Sequence, residues 1–363
     1  MIYLALGALY VTFIAILKLG WRKVLMKTMP DGSIKSFISV VVPVRNEENN
    51  LPALVASLQL QTYSSFEVLI VDDHSDESPT PCVANLGDDR FQVIGSKGHG
   101  KKAAITTGIE KSRGEIIVTT DADCRFHAQW LHIINIFFND PALQLGFGAV
   151  TIRHEGFFLH HLQALELSSL ITTGAALNGL GVASMCNGAN LAFRKNVFFE
   201  VNGYTGNEHI ASGDDEFLLR KVFTRYPAGV RFLNHPGGIV QTLPVNTVRE
   251  FFHQRIRWAA KWKAHKEVAT AALALCVFTF YLSIILLPVF ILFDKVDGRL
   301  GTIFLVAKIL CDAWLLLPAS RFLNYRWNTT AFLVTEFLYP VYAVAVGLLS
   351  NFIKPEWKKR IVK

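Results

Sequence analysis

The chain has 363 residues, 51% of them apolar, and 36 Lys and Arg against 29 Asp and Glu give a formal net charge of +7. That length allows one large domain together with membrane segments, and the basic balance fits a membrane protein with basic flanks without requiring a nucleic-acid partner; none is expected. The five cysteines, Cys82, Cys124, Cys186, Cys276 and Cys311, are odd in number and lack CxxC spacing, which excludes a disulfide framework or cysteine metal cluster and reads as reduced thiols.

Residues 1–17 (MIYLALGALYVTFIAIL) are uncharged. No basic start precedes them and no small-residue cleavage pattern follows, so residues 1–19 read as an uncleaved transmembrane anchor. The charges come afterwards, at Arg22, Lys23, Lys27 and Lys35, an order that puts the start outside and the following domain in the cytoplasm. From 37 to 245, β-branched runs alternate with helical stretches: SFISVVVPV, NNLPALVASLQLQ, FEVLIVDD, FQVIGS, KKAAITTGIEKS, EIIVTTDAD and AQWLHIINIFF. The pattern predicts an α/β domain with a mainly parallel sheet covered on both faces. Residues 168–186 (SSLITTGAALNGLGVASMC) are apolar enough to suggest a span, but their Gly, Ser, Thr and Asn place them in the domain, buried or facing a membrane.

Residues 246–267 are amphipathic. Val248, Phe251, Phe252, Trp258 and Trp262 give a greasy side and Arg249, Arg255, Lys261 and Lys263 a basic one, as in a helix lying in a membrane interface. Three apolar runs follow, at 270–293, 301–319 and 331–352. A bilayer needs about 20 apolar residues per helix, which the first and third supply. The middle run contains Lys308 and Asp312, spaced i, i+4, which pair on one face or mark a shallow or polar-lined segment; residues 270–352 therefore hold two or three spans. With three, the basic tail 353–363 falls outside, against the positive-inside bias.

Ligands of parallel sheets bind at the carboxyl ends of strands, where PVRNEEN, DDHSDES and DADC fall. In DADC, Asp121 and Asp123 flank Ala122, so a tight turn brings both carboxylates to one hard cation such as Mg²⁺ or Mn²⁺, with room for a diphosphate. An isolated DxD is also explained by a solvated turn or helix cap. Asp72 and Asp73 end another strand and offer an acceptor to a base N–H such as the imide of uracil, or form an Asx-type turn into a helix at Glu77. GHGKKAAI is a glycine-rich helix entry with Lys101 in its first turn, suited to an anion though without a Walker pattern; a solvated lysine is the plain alternative. Gln254, Arg257 and Trp258 share a helix face. His160 and His161 have no other ligands nearby in sequence and read as structural.

Together these stretches resemble the family 2 glycosyltransferases, inverting enzymes of the GT-A fold that use nucleotide-diphosphate sugars. SVVVPVRNEENNL looks like the family's opening strand and loop, VDDHSDES its nucleobase motif, GKKAAI its GKxxAL segment and TDADC its DxD. GANLAFRKNVFFEVNGY is similar to GxNxAFRR…GGF, SGDDEFLLRK stands where the family has TED or GED, and QRIRW matches QxxRW. The ordered set covers residues 37–265, and the tail spans add a likeness to the membrane-integrated relatives of hyaluronan and cellulose synthases.

The resemblance implies roles. Pro43, Arg45 and Glu47 line the nucleotide from the loop after the first strand; Val71 and Asp73 contact the base, with Asp72 in support; Lys101, Asp121 and Ala122 complete the nucleotide site. Asp121 and Asp123 hold Mg²⁺ or Mn²⁺, Asp123 directly. The catalytic base falls on Asp215, with Asp214 the alternative because Gly213 and Asp214 replace the usual Thr and Glu. Gln254 and Arg257 reach the diphosphate or acceptor, and Trp258 stacks on an acceptor sugar. The expected protein is integral to a bacterial plasma membrane with a cytoplasmic catalytic domain, passing sugar from a UDP-sugar, or second a GDP-sugar, to a lipid-linked or glycan acceptor. Three tail segments favour single addition over processive polymer synthesis. A haloacid-dehalogenase-like phosphatase would want Gly-Thr after its DxD, where Cys124 and Arg125 stand, and a sugar nucleotidyltransferase would want GxGTRL in place of PVRNEEN. A non-catalytic membrane protein binding nucleotide sugar or lipid would not need Asp121, Asp123 and Asp215.

Overall fold

Val40, Val41 and Val42 are fully buried in the middle of a seven-stranded sheet in the computed structural model of the chain. The structure describes residues 2–31, 34–84, 86–153, 156–208, 210, 212–260, 268–353, 356–357 and 360–361. The first half runs α1 (Ile2–Leu25), β1 (Ile38–Val44), α2 (Leu51–Gln59), β2 (Phe66–Asp72), α3 (Pro81–Ala84), β3 (Phe91–Gly95), α4 (Lys101–Lys111), β4 (Ile116–Thr119), β5 (Arg125–Phe126) and α5 (Trp130–Phe137). Then come β6 (Leu145–Gly148), β7 (Val150–Ile152), α6 (Phe158–Gly179), β8 (Leu191–Arg194), α7 (Lys195–Glu200), α8 (Asp214–Arg225), β9 (Val230–Leu233) and β10 (Val240–Thr242). The last helices are α9 (Val248–Ala260), α10 (Val268–Leu292), α11 (Gly298–Phe322) and α12 (Thr329–Leu349).

Contacts group the chain into two compact units, Gly20–Arg153 with Leu170–Leu243, and Met1–Leu19 with His154–Ser169 and Pro244–Lys363. The first unit carries the sheet, in the order β3-β2-β1-β4-β8-β6-β9. Strands β1 to β4 are mutually parallel, β8 is antiparallel to both its neighbours, and β6 and β9 pair in parallel. This is the expected α/β sheet, parallel where the β-branched runs are longest. Every residue of β1 is buried, as a strand covered on both faces requires. A smaller sheet, β5-β10-β7, brings β10 beside the chain that leaves β4. The 168–186 window lies mostly in α6, whose Ala175 and Ala176 are fully buried, so its apolar character serves packing.

The alternative reading of Asp72 and Asp73 holds only in its turn. No helix begins at Glu77; α3 starts only at Pro81. Asp72 accepts from the Ser75 N–H at 3.0 Å and the Ser75 hydroxyl at 2.6 Å, which closes a turn without starting a helix.

Among the described residues, four helices are long and apolar enough to cross a membrane by length and composition: Ile2–Leu25, and, in the other unit, Leu275–Leu292, Gly298–Phe322 and Thr329–Leu349. The middle tail segment is thus as long as its neighbours, and its charges are matched internally. Lys308 Nζ lies 2.8 Å from Asp312 and also donates to Glu336 of α12, while the Tyr10 hydroxyl donates to Asp312. Side chains that would be costly in hydrocarbon are thereby satisfied by one another. Glu166, Arg255 and Tyr342 make a second such cluster: Arg255 donates to one carboxylate oxygen of Glu166 and Tyr342 to the other at 2.6 Å.

That cluster corrects the expected basic face of the amphipathic helix. Arg255 is only 3% exposed, because its guanidinium pairs with Glu166 and lies over the rings of Trp258 and Phe251 at 4.2 and 4.5 Å. Its charge is buried inside the unit. Lys261, Trp262 and Lys263 fall outside the described residues, as does most of the basic tail. His160 is buried with its ring 5.2 Å from that of Phe157, consistent with a packing role. All five cysteines are free thiols.

Candidate active site at the carboxyl ends of the strands

The loops after β1 and β2 hold each other in place. Arg45 Nη1 donates to the carbonyls of Asp73 and His74, both at 2.8 Å. Asn46 and Asp76 exchange two hydrogen bonds, side chain to side chain at 2.9 Å and Asp76 N–H to Asn46 Oδ1 at 2.8 Å. Asn46 and His74 have φ of 52° and 55°, which non-glycine residues keep only where their surroundings enforce it. Arg45 is therefore a strut under the Asp73 loop through its Nη1, while its buried Nε makes no hydrogen bond. Asp72 is spent on the Ser75 turn.

Asp73 is fully buried, and its Oδ1 accepts the Gly100 N–H at 2.9 Å. Two predicted nucleotide contacts lie within the strands. Pro43 sits within β1, not in the loop after it, and pairs in register with Val71. Val71 is fully buried, and its methyl group lies 3.0 Å from where a Cβ on Gly108 of α4 would be. The Val71 side chain thus packs in the layer between sheet and helix.

Lys101 opens α4 and gathers the acidic residues. Its Nζ donates to Asp121 Oδ1 at 2.7 Å and lies 3.7 Å from Asp214 Oδ2. Burial alone would lower its pKa, but the carboxylates of Asp121, Asp214 and Asp215 more than offset this and raise it. The lysine stays charged. Asp215, at the N-terminus of α8, accepts the Gly188 N–H on Oδ2 at 3.0 Å and the Glu216 N–H on Oδ1 at 2.8 Å. A Cβ at Gly188 would lie 3.0 Å from Asp214 Oδ2 and 3.6 Å from Lys101 Nζ, so a larger residue would crowd this group. Asp214 is buried and Asp215 half-buried.

Asp123 accepts the Thr242 hydroxyl at 2.9 Å. Burial pushes its carboxyl up to about 6, and the charges of Asp121 and Glu47 add to the effect against the Thr242 hydrogen bond. Glu47 itself accepts from the Asn50 side chain at 2.8 Å. A desolvated Asp123 carboxylate, raised further by the neighbouring charges of Asp121 and Glu47 and offering oxygen donors, fits a hard divalent cation, which would relieve that repulsion.

The structure thus brings together Asp73, Lys101, Asp121, Asp123, Asp214 and Asp215, from four separate stretches, with Ala122 buried between the two DxD carboxylates. Gln254, Arg257 and Trp258 belong to α9 in the other unit. There Gln254 accepts from Arg255, and the Arg255 guanidinium lies over Trp258, so Trp258 already stacks on a cation rather than offering that face to a sugar. The partners that sequence reading missed are Thr242, the Gly188 N–H and the Asn46–Asp76 lock. None bears a chemical signal of its own.

Residues 39–201 match the model of the family described as Glycosyl transferase family 2. Over 100 residues the chain is 37% identical to glycosyltransferase AglE of Haloferax volcanii, covering 26% of this chain and 33% of that protein. Over 93 residues it is 34% identical to undecaprenyl-phosphate 4-deoxy-4-formamido-L-arabinose transferase of Aeromonas hydrophila, covering 24% and 28%. The matched stretches thus span about a third or less of these relatives' own length. A solved mannosyltransferase of Pyrobaculum calidifontis, in complex with GDP-mannose and Mn²⁺, has a TM-score of 0.58 at 18% identity, covering 97% of this chain and 98% of that one. At that identity the likeness is one of fold. With the strand-and-loop motifs in order and a GT-A sheet beneath them, residues 39–201 form a glycosyltransferase family 2 domain.

Proposed function

We propose that the chain is a membrane-bound, metal-dependent inverting glycosyltransferase. It takes sugar from a nucleoside diphosphate sugar, a UDP-sugar before a GDP-sugar, and passes it at the cytoplasmic face to a hydroxyl of a lipid-linked glycan or glycolipid. One observation carries this reading: Lys101 ties Asp121 to Asp214 beside Asp215, while the neighbouring Gly100 N–H ties in Asp73. A base on Asp73, a diphosphate near Lys101 and a sugar before Asp215 describe one extended donor. The apolar helices support membrane residence, and the relative named for undecaprenyl phosphate supports a lipid-linked acceptor.

The chemistry follows from the placement. Asp73 accepts a base N–H, and Lys101 can exchange its Asp121 contact for diphosphate oxygens. Asp121 and Asp123 would hold Mg²⁺ or Mn²⁺, which when bound stabilises the negative charge growing on the leaving diphosphate. Asp215, half-buried and held by the Gly188 N–H, takes the proton of the acceptor hydroxyl as it attacks the anomeric carbon from the face opposite the leaving group. Asp214 is the less suitable base, because it is buried beside Lys101.

Nucleotide sugars screened by thermal shift on the detergent-purified chain with Mn²⁺ present test this directly. A true donor at about 100 times its Kd stabilises by about 2.7 kcal/mol through mass action. The expected result is one nucleotide class that shifts the melting temperature and yields one discrete product with a lipid-linked acceptor. No shift with any UDP- or GDP-sugar would overturn the reading.

A further inference from the structure

Beside the acidic cluster lies a second group of donors with a different chemistry. Asp73, His74 and His99 each offer one ligand atom, and these atoms lie within 4.8 Å of one another. They come from two loops, the turn after β2 and the glycine-rich entry to α4. Asp73 is buried, while His74 and His99 are exposed, with ring centres 4.3 Å apart and planes tilted by 41°.

The backbone beneath them is fixed. Arg45 holds the carbonyls of Asp73 and His74, the Gly100 N–H holds Asp73 at 2.9 Å, and the Ser96 N–H donates to the Asp72 carbonyl at 2.9 Å. His74 is kept at a φ of 55°, and in that conformation its ring rests against His99. Two imidazoles and one carboxylate suit a borderline ion such as Zn²⁺, whereas Mg²⁺ and Mn²⁺ favour the all-oxygen pair at Asp121 and Asp123. With bonds of about 2.0–2.1 Å, tetrahedral ligand atoms stand roughly 3.3 Å apart, so the donors must close by at most about 1.5 Å. Rotating two exposed rings about their side-chain torsions supplies that movement while the backbone stays put. Three protein ligands leave one position open.

We propose that Asp73, His74 and His99 form a binding site for a borderline transition metal such as Zn²⁺, and that metal and nucleobase exclude each other there. The second half rests on the reading that Asp73 receives the base of the donor. A cation on Asp73 neutralises the carboxylate that the base N–H needs and draws both imidazoles into the space beside it.

The test uses the full chain in detergent, purified with a tag free of histidine. Zn²⁺ binding is measured by calorimetry and Co²⁺ binding by visible absorption. His99→Ala is expected to weaken Zn²⁺ binding at least about tenfold, since even partners outside the coordination sphere are worth about 10–100-fold. The double variant His74→Ala/His99→Ala should abolish the Co²⁺ spectrum while keeping the melting temperature, because both rings are exposed. A double variant that binds both ions as the unaltered chain does would overturn the site. Uridine or guanosine, which carry a base without chelating phosphates, should raise the apparent Zn²⁺ Kd. Zinc binding that depends on the two histidines yet ignores both nucleosides would leave the metal site standing and overturn the exclusion, and with it the placement of the base on Asp73.

Discussion

Asp215→Asn is expected to lower the turnover of sugar transfer by about 10²–10⁴-fold, the usual contribution of a positioned general base. The substitution is nearly isosteric, and the amide oxygen can still accept one of the two backbone N–H groups that now hold the carboxylate, from Gly188 and Glu216. Donor affinity and melting temperature should therefore change little while kcat falls. Asp214→Asn should differ in kind. Asp214 lies 3.7 Å from Lys101, so its loss alters the lysine's surroundings and raises the donor KM more than it lowers kcat. Steady-state kinetics on both variants separate the two roles. Turnover that survives Asp215→Asn within about threefold would mean that the acceptor brings an already ionised oxygen, as a phosphate does, and needs no base.

The second large effect belongs to Asp123. Removing the divalent ion with a chelator, or its ligand by Asp123→Asn, should lower turnover by about 10³-fold, since Lewis-acid stabilisation of a leaving group is worth several kcal/mol. The isosteric variant keeps an oxygen for the Thr242 hydroxyl, so the local fold survives. A Mn²⁺ titration of activity checks the assignment: the chelated enzyme recovers fully on readdition, and Asp123→Asn needs far more ion or does not recover. A variant with an unaltered Mn²⁺ dependence would remove Asp123 from the metal site.

Sequence reveals a face more readily than the partner across it. Val40 to Val42 announce a buried strand because nothing else accommodates three adjacent β-branched residues so well, and the carboxylates beyond the strand ends follow from the topology of parallel sheets. Asp123 was legible as a ligand; Thr242, 119 residues further on, was not, since a threonine carries no sign of what it will meet. The same limit misplaced Arg255. Its spacing fits a basic outer face, but Glu166, 89 residues away, turns it inward. Lys308 and Asp312 could be paired by helical spacing alone, whereas Glu336 and Tyr10 join them only through packing. Pro43 and Val71 show a local limit: a motif tells which residues travel together, but not that Pro43 lies inside β1 or that Val71 packs against α4.

The most direct measurement is a structure of the full chain with a nucleoside diphosphate and Mn²⁺. The base edge is expected within hydrogen-bond reach of Asp73, the ion on Asp123, and Lys101 drawn from Asp121 onto the diphosphate. A nucleotide seated so that it reaches Asp73 or Asp123 but never both would contradict a shared donor cleft.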